Sequence, residues 1–121
     1  MLLVPTFAAA STIQGVGLFA AKPIARGTVI WRFEPVFDRI IPEADFTTLP
    51  EVARAFIERY GYVTPQIPGG WVVSLDNTRF INHSEAPNTD NTQPETTAAR
   101  DIAEGEEITA NYGEFCEFTL D

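Results

Sequence analysis

Few side chains in this sequence can bind a soft metal ion or form a disulfide. It contains one cysteine, Cys116, and one histidine, His83. A single cysteine excludes an internal disulfide, and two soft ligands are too few for a structural zinc site or another common transition-metal centre. We therefore expect no metal site in this protein.

Basic residues are also scarce. The chain has 8 lysines and arginines against 17 aspartates and glutamates, which gives a formal net charge of −9. Nucleic acid is not expected as a partner, because phosphate binding requires a basic surface. A negative surface instead favours a basic ligand, such as a lysine-rich protein segment, although the same charge also serves solubility.

Long apolar runs are missing as well, and no stretch approaches the length that spans a membrane. The segment 1–10 is apolar, but Pro5 interrupts it and it lacks the basic n-region of a signal peptide. We expect a soluble, cytoplasmic protein that makes no membrane contact. Homodimer formation is left open by the sequence.

The composition that remains predicts one globular domain over residues 1–121. The chain is long enough for a modest core, and 45% of its residues are apolar. Strands are predicted over the ranges 2–8, 17–20, 28–33, 71–75 and 108–112. The prediction rests on the alternation of apolar residues and on neighbouring turns. We therefore expect a mainly β fold. Asn88 to Thr97 is polar, and we expect this segment to be exposed and mobile.

One short helix is predicted between the strands. Thr48 and Glu51 have the spacing of a capping box, and Gly61 is placed to end the helix. Helical spacing puts four residues on one apolar stripe, which we expect to pack into the core: Val52, Ala55, Phe56 and Tyr60.

Two segments of the chain repeat each other. The alanines, isoleucine and glycine of Ala20–Ile30 fall in register with those of Ala98–Ile108. Each copy is predicted to form a short strand, a glycine turn and a return strand. Two copies are too few for a solenoid, so the repeat indicates two similar β-corners in one small domain.

Three further segments carry groups suited to a functional site. The segment 78–88 holds His83 and is predicted as a loop whose polar side chains bond its own backbone. Gly15 and Gly17 permit close approach of a ligand, but without a third glycine and a helix they do not predict a dinucleotide fold. The third segment, 105–113, places Tyr112 on the same face as its apolar neighbours. Taken alone, the histidine and the tyrosine are explained by packing and hydrogen bonding.

The order of these motifs resembles the SET-domain protein lysine methyltransferases. The resemblance is carried by Gly15–Ala20 (GVGLFA), Arg79–Ser84 (RFINHS) with Pro87-Asn88, and Gly105–Thr109 (GEEIT) with Tyr112-Gly113. The resemblance covers nearly the whole chain. The length of the chain is similar to that of the minimal bacterial and viral members. The resemblance implies a β-clip-like fold of small curled sheets, in which the C-terminal segment passes beneath a loop to form a pseudoknot.

The resemblance also implies a cofactor and a site. Backbone around Gly15, Val16 and Gly17 would hold the methionine part of S-adenosylmethionine, and Asn82 and His83 would hold its amino group and adenine. Tyr112 would be the catalytic tyrosine, at the end of a channel for a lysine of a basic protein substrate. By resemblance, the chain after Tyr112 closes over the cofactor and lines that channel. We expect Phe118, or Phe115, to pack against the adenine or the channel mouth, with Glu114 and Glu117 at the rim.

The chemistry of lysine methylation fits these residue types. Methyl transfer from a sulfonium to an amine is an in-line displacement that needs alignment more than acid or base strength. The ammonium, with a reference pKa of about 10.4, must first lose its proton, which an apolar channel favours. The hydroxyl of Tyr112 can orient the neutral amine and attract the polarised methyl hydrogens.

Three features depart from the pattern of the family. Phe33 stands where many members have the tyrosine of a Tyr-x-Gly sequence, so a channel hydroxyl is absent there. No cysteine-rich segments flank the core, so Phe115 and Phe118 are the candidates for the channel wall that these segments help to build. Ala110 occupies the position where some members carry Phe or Tyr, and a small residue there leaves room for more than one methyl group. The predicted substrate contacts are Phe33, Phe80, Ala110 and Phe115.

Two other functions are compatible with the sequence. A SET core that has lost catalysis could bind a basic protein segment without transferring anything, and Phe33 is a sign of such a loss. A thiol hydrolase built on Cys116 and His83 would need a thiolate of low pKa, and no nearby residue in the sequence supplies the positive charge.

Overall fold

The structure, a computed structural model, describes residues 1–116. Within this range ten short strands are joined by two α-helices and two 3₁₀ turns, which confirms a mainly β fold. The strands are β1 (Thr6–Ala10), β2 (Val16–Ala20), β3 (Val29–Trp31), β4 (Arg39–Ile41), β5 (Tyr62–Thr64), β6 (Ile67–Val73), β7 (Asn82–His83), β8 (Thr89–Asp90), β9 (Thr96–Ala98) and β10 (Glu107–Ala110). The helices are α1 (Glu43–Phe46) and α2 (Glu51–Tyr60), and the 3₁₀ turns are Asn77–Phe80 and Tyr112–Glu114. No helix in the described range is long and apolar enough to cross a membrane.

The strands form three small sheets, in the orders β1-β2-β10-β7, β3-β9-β8 and β4-β6-β5. The pair that matters for the site is β7 with β10, which run parallel and place Asn82 opposite Thr109 and His83 opposite Ala110. Because parallel neighbours require a long connection, this pairing brings together motifs that are far apart in the sequence. The pseudoknot expected from the resemblance requires β7 and β10 to be neighbours, because the C-terminal segment has to pass beneath the loop.

Two apolar clusters hold the sheets together. The larger one surrounds Leu18, Ile30 and Ile108, which are fully buried. The smaller one is built from Trp31, Ile67 and Val72, and we refer to it as the second core. Burying one large aliphatic side chain contributes roughly 1.5–3 kcal/mol, so these fully buried residues are among the main contributions to stability.

The two repeated segments do form similar corners, and they pair with each other. Ile24 and Ile102 occupy equivalent positions and exchange two backbone hydrogen bonds of 2.8 Å. Around them the pairing is reciprocal, since Gly27 N–H donates to the Ala98 carbonyl and Gly105 N–H donates to the Ala20 carbonyl. The repeat therefore describes a local twofold arrangement in which each corner completes the other.

The predicted helix exists, but its capping and its packing were predicted wrongly. Helix α2 follows Pro50 without a side-chain cap, and the Thr48 hydroxyl instead donates to the Asp45 carbonyl at the end of α1, 2.6 Å away. Val52 is 80% exposed and Phe56 47% exposed, so the apolar stripe does not enter the core. Helical periodicity identifies a face but not what covers it, and only Ile57 of this helix is buried.

The segment from Asn88 to Thr97 was predicted wrongly in part, because four of its ten residues are buried, whereas residues 92–95 are exposed as predicted. Asn88, Thr89, Asn91 and Thr96 are each less than 9% exposed. Hydrogen bonds inside the protein satisfy these polar side chains. The Asn88 amide donates to the Glu107 carbonyl at 2.8 Å, and the Thr96 hydroxyl donates to Asn91 Oδ1 at 2.5 Å. Polar composition predicts exposure only when the side chains lack internal partners.

Strand boundaries differ from the sequence prediction at several places. The first strand is Thr6–Ala10, while Leu2 makes only an isolated bridge to Trp31. Strand β6 starts at Ile67, four residues before the predicted strand 71–75, and β5 was not predicted because it has three residues. Short paired segments carry too few residues for a periodic signal.

The salt bridge between Arg100 and Glu106, in the repeated segment Ala98–Ile108, leads to a prediction about stability. The Arg100 guanidinium lies 2.6 Å from Glu106 and, with the Ala103 N–H and the Asn88 amide, lowers the pKa of Glu106 from 4.5 to about 2. A carboxyl with a lowered folded-state pKa stabilises the protein above the unfolded value, and that stability is lost as the pH falls through the folded value. Glu106→Gln is therefore expected to reduce the free energy of unfolding at pH 7 by about 1 kcal/mol, allowing for solvent screening.

Urea unfolding of wild type and variant at pH 7, 4.5 and 2.5 measures this difference. We expect it to shrink as the pH falls from 4.5 towards 2, the interval between the two pKa values. Glu104→Gln removes the same charge from an exposed residue of the same turn and serves as the control. A Glu106→Gln difference that stays constant across this pH range would contradict the linkage.

Candidate active site

A cavity of about 480 Å³ lies next to the β7–β10 pair. It is bordered by the loop before β2, the end of α2, strands β5 and β6, the segment 78–82 and the chain from Ala110 to Cys116. Seven residues predicted from the sequence line it: Gly15, Val16, Phe80, Asn82, Ala110, Tyr112 and Phe115. The structure thus brings most of the predicted site together around one cavity.

Four predicted residues are not among the cavity lining. Gly17 is buried behind it, and His83 lies beside Tyr112 without facing the cavity. Phe33 packs against the second core instead. Phe118, predicted to pack on the adenine or the channel mouth, lies outside the described residues, as does Glu117.

Tyr112 is held at two of its atoms. Its hydroxyl donates to the Ile81 carbonyl, and its backbone N–H donates to His83 Nδ1 at 3.0 Å. Burial raises the pKa of Tyr112; the Cys116 thiol adds to the increase and Arg59 opposes it. The phenol is therefore neutral at physiological pH. Since the O–H group donates its hydrogen bond to the Ile81 carbonyl, the lone pairs of the Tyr112 oxygen remain available as an acceptor in the cavity.

His83 positions Tyr112. Because Nδ1 accepts the Tyr112 N–H, a neutral ring carries its proton on Nε2, which lies 3.1 Å from a carboxylate oxygen of Glu85. The imidazole also meets the Tyr112 ring edge-on, with centroids 5.2 Å apart. The side chain of His83 thus fixes the backbone and the ring of the tyrosine.

Asn82 connects the glycine loop to β10. Its amide donates to the Gln14 carbonyl at 3.1 Å, to the Val16 carbonyl at 3.3 Å and to Glu107 Oε2 at 3.0 Å. The Ser11 hydroxyl donates to the other oxygen of the Glu107 carboxylate at 2.8 Å. This Asn82–Glu107–Ser11 network fastens the loop to two strands at once.

The network also explains Gly17. A Cβ atom at Gly17 would stand 2.4 Å from Glu107 Oε2, so the Glu107 carboxylate would have to shift away from its bonds to Asn82 and Ser11. Gly15 has a different reason, since its φ is +49° and nothing lies within 4 Å of where its Cβ would be. Ser11 and the structural role of Glu107 were not predicted; the acidic pair in the GEEIT motif was the only available signal.

An aromatic wall runs along the cavity from β5 to the C-terminal turn. Tyr62 meets Phe115 edge-on at 5.0 Å, and Phe115 meets Tyr112 in the same way at 5.9 Å. Tyr60 and Phe80 also line the cavity and meet edge-on, with ring centroids 5.9 Å apart. The Arg79 guanidinium lies 4.7 Å from the Phe80 ring centroid. Neither Tyr60 nor Tyr62 was predicted as a site residue, because Tyr60 was assigned to a core stripe and β5 gave no signal.

Cys116 borders the same cavity but does not provide a nucleophile. Burial raises its pKa to about 11, so the thiol keeps its proton at neutral pH. The thiolate that a hydrolase built on Cys116 and His83 would need is therefore not formed. No group of three His, Cys, Asp or Glu side chains in residues 1–116 is placed to hold a metal ion.

The three small sheets and the cavity beside the parallel β7–β10 pair define a SET-type fold. At the level of sequence families, residues 15–113 match the SET domain. The chain therefore belongs to the SET-domain family. No curated protein sequence matches it.

Solved structures share this fold at low sequence identity. A subunit of the Chaetomium thermophilum Polycomb Repressive Complex 2, bound to S-adenosylmethionine, is 22% identical with a TM-score of 0.69, and the match covers 95% of this chain and 16% of that one. The same complex in a humanised form with the inhibitor GSK126 gives 24% identity, a TM-score of 0.68 and the same coverage. A Plasmodium falciparum protein named as a histone methyltransferase gives 20% identity and a TM-score of 0.64, covering 93% and 96% of the two chains. The chain thus spans about one sixth of the Polycomb chains.

Proposed function

We propose that this SET domain transfers a methyl group from S-adenosylmethionine to the ε-amine of a lysine in a protein substrate. The observation that carries the proposal is the anchoring of Tyr112, whose hydroxyl is turned by the Ile81 carbonyl so that its oxygen can accept from a ligand in the cavity. Membership of the SET family supports the same reaction. The Polycomb structure that contains S-adenosylmethionine supports the choice of cofactor.

The residues around the cavity fit the cofactor. A volume of about 480 Å³ lies within the range of ligand pockets, roughly 300–1,000 Å³. Gly15 lines the cavity with open space beside it, so its backbone is accessible to a ligand. Asn82 Oδ1 accepts no hydrogen bond from residues 1–116, which leaves an acceptor for an ammonium group. S-adenosylmethionine supplies, when bound, an electrophilic methyl group on a sulfonium.

The protein side chains would act on the lysine amine. Phe80, Phe115 and the buried Ala110 give the cavity apolar walls, which disfavour an ammonium and so favour loss of its proton to water outside. Tyr112 would accept one N–H of the neutral amine and orient its lone pair. Alignment of this kind is what an in-line displacement requires from an enzyme.

The proposed substrate is a basic segment of a protein. The net charge of −9 favours association with a positively charged partner at low ionic strength. Two of the solved structures with this fold are a histone methyltransferase by name and a Polycomb repressive complex, which makes histones a sensible first substrate.

Two measurements test the proposal separately. Isothermal calorimetry with S-adenosylmethionine measures cofactor binding without any substrate. Mass spectrometry of core histones and of a cell extract, after incubation with isotope-labelled cofactor, detects transfer to lysine. Cofactor binding with labelled lysine supports the enzyme, whereas binding of a basic peptide without cofactor binding would support the non-catalytic module. A protein that binds no S-adenosylmethionine would contradict the proposed reaction.

A further inference from the structure

The hairpin of β1 and β2 is uncharged and carries much of the apolar surface that stays exposed. Residues 1–21 contain no charged side chain, in a chain where 21% of the residues are charged. Within residues 1–116, four of the eight exposed large apolar side chains lie in this segment: Leu3, Phe7, Ile13 and Val16. Exposed apolar residues gathered in one region indicate a contact surface.

Strand β1 leaves a row of backbone groups open at the edge of its sheet. It is the outer strand in the order β1-β2-β10-β7. Hydrogen bonds at both ends of the β1–β2 pair, from the Ala21 N–H to the Pro5 carbonyl and from the Ser11 N–H to the Gly15 carbonyl, show that odd-numbered residues bond to β2. Because an antiparallel ladder alternates, the even-numbered residues direct their N–H and C=O groups away from β2. Within residues 1–116, no backbone hydrogen bond outside the ladder uses these residues, which are Thr6, Ala8 and Ala10.

The edge formed by β1 also lacks the usual protection against pairing with another chain. Natural edge strands are commonly blocked by a charged side chain, a proline or a β-bulge. The sequence of β1, TFAAA, has neither a charge nor a proline, and its pairing with β2 is regular over five residue pairs. Since Phe7, Ala8 and Ala10 are exposed, another strand can reach the open backbone groups.

The strand is complementary to itself in an antiparallel arrangement. If Ala8 faces the partner's Ala8 across a twofold axis, Thr6 faces the partner's Ala10, and the outward N–H and C=O groups of both strands pair. Phe7 then faces the partner's Ala9. A large side chain thus meets a small one at the positions where the two strands approach most closely.

Charge favours a second copy of this chain over a basic protein segment at this edge. The net charge of −9 attracts a basic segment to the acidic surfaces, but β1 offers such a segment no carboxylate. Two copies repel each other through their acidic surfaces, whereas contact through β1 brings only uncharged residues together. A strand of five residues buries a small area, so the dimer is expected to have a dissociation constant in the micromolar range.

We propose that β1 is a dimerisation edge, at which it pairs antiparallel with β1 of a second copy of this chain. Ala8 faces the partner's Ala8, and the two sheets become one continuous sheet across the twofold axis. This inference does not depend on the proposed function, because it concerns a surface outside the chemistry of the cavity.

Sedimentation equilibrium of wild type and charge variants tests the proposal. Between about 10 μM and about 500 μM, wild type should pass from monomer to dimer. Ala8→Lys would place two like charges opposite each other at the axis and should associate at least about tenfold more weakly, as should Ala8→Asp. Val36→Lys adds the same charge at a residue that is 94% exposed and outside the hairpin, so it should dimerise like wild type.

A mixture of the two variants tests the register. Because position 8 faces itself, equal amounts of Ala8→Lys and Ala8→Asp should form a heterodimer that neither variant forms as a homodimer. Circular dichroism at low concentration should show the wild-type fold in both, since Ala8 is exposed. If Ala8→Lys does not fold, Ala10→Lys replaces it in the comparison with wild type, because Ala10 is also exposed on the open edge.

Three results would overturn the proposal. A wild type that stays monomeric over the whole concentration range has no such dimer, and loss of histone-peptide binding in Ala8→Lys would then identify a substrate strand as the occupant. Dimerisation of folded Ala8→Lys, or of Ala10→Lys in its place, with wild-type affinity would put the contact elsewhere on the surface. Two monomeric variants that fail to associate when mixed would show that position 8 does not face itself.

Discussion

Replacement of Tyr112 by phenylalanine is expected to lower the rate of methyl transfer by about 10²-fold or more while changing cofactor affinity only a few-fold. The hydroxyl donates to Ile81 and keeps its oxygen available to the amine, so its loss removes the group that orients the nucleophile. The ring and its contacts with His83 and Phe115 remain, so the cavity should keep its shape. Single-turnover assays by mass spectrometry and cofactor calorimetry measure the two effects separately.

Loss of the bond to Ile81 should also cost the fold about 1 kcal/mol, which must not be mistaken for a catalytic effect. Thr92→Val is the control, since the Thr92 hydroxyl donates to Asp90 at 2.6 Å outside the cavity. Its stability loss should be similar, and its activity should match wild type. Near-normal turnover by Tyr112→Phe would remove this tyrosine from the catalytic assignment.

The motif residues could be predicted because each is constrained by backbone geometry. A Cβ at Gly17 would displace the Glu107 carboxylate, and the Asn82 side chain bonds the carbonyls of the glycine loop. These constraints come from atoms close by in space. The same contacts form whenever the motif adopts the same backbone conformation. The repeat around Ile24 and Ile102 was visible for a similar reason, because equivalent hydrogen bonds select equivalent residues.

The residues that were predicted wrongly depend on contacts that have no local signature. Helix α2 has a periodic apolar stripe, yet 47% of Phe56 stays exposed among the described residues 1–116. Asn88 is 2% exposed because partners more than fifteen residues away satisfy its amide. Tyr62 reaches the cavity only through a three-residue strand and its contact with Phe115. Partner identity is set by the whole fold, so sequence patterns miss it.

Asn82→Ala is expected to destabilise the protein by about 2–3 kcal/mol, the larger share coming from the carboxylate of Glu107. The substitution removes three donor contacts and leaves Glu107 with Ser11 as its remaining side-chain partner. The glycine loop is then no longer fastened to β7. Urea unfolding of the ligand-free protein measures this effect independently of any ligand.

Cofactor affinity should fall in the same variant by about 1–3 kcal/mol, or roughly 5- to 150-fold in Kd. The reason is that Asn82 holds the loop and lines the cavity with an Oδ1 atom that accepts no hydrogen bond from residues 1–116. Unchanged calorimetric binding by a folded Asn82→Ala protein would mean that the cofactor site lies elsewhere.

Asn82→Asp distinguishes the two roles because it keeps the shape of the side chain and changes its charge. The introduced carboxylate would face Glu107 Oε2, which lies 3.0 Å from the amide nitrogen it replaces, and the carbonyls of Gln14 and Val16. Like charges raise the pKa of the introduced group in the folded state above its reference of about 3.9. A raised folded-state pKa gives stability that is present at low pH and lost as the pH rises, so this variant should be least stable relative to wild type at pH 7 and should recover towards pH 4. Asn82→Ala introduces no new charge, so its stability deficit should recover less than that of Asn82→Asp between pH 7 and pH 4. Equal recovery of the two variants would argue against repulsion between the introduced carboxylate and Glu107.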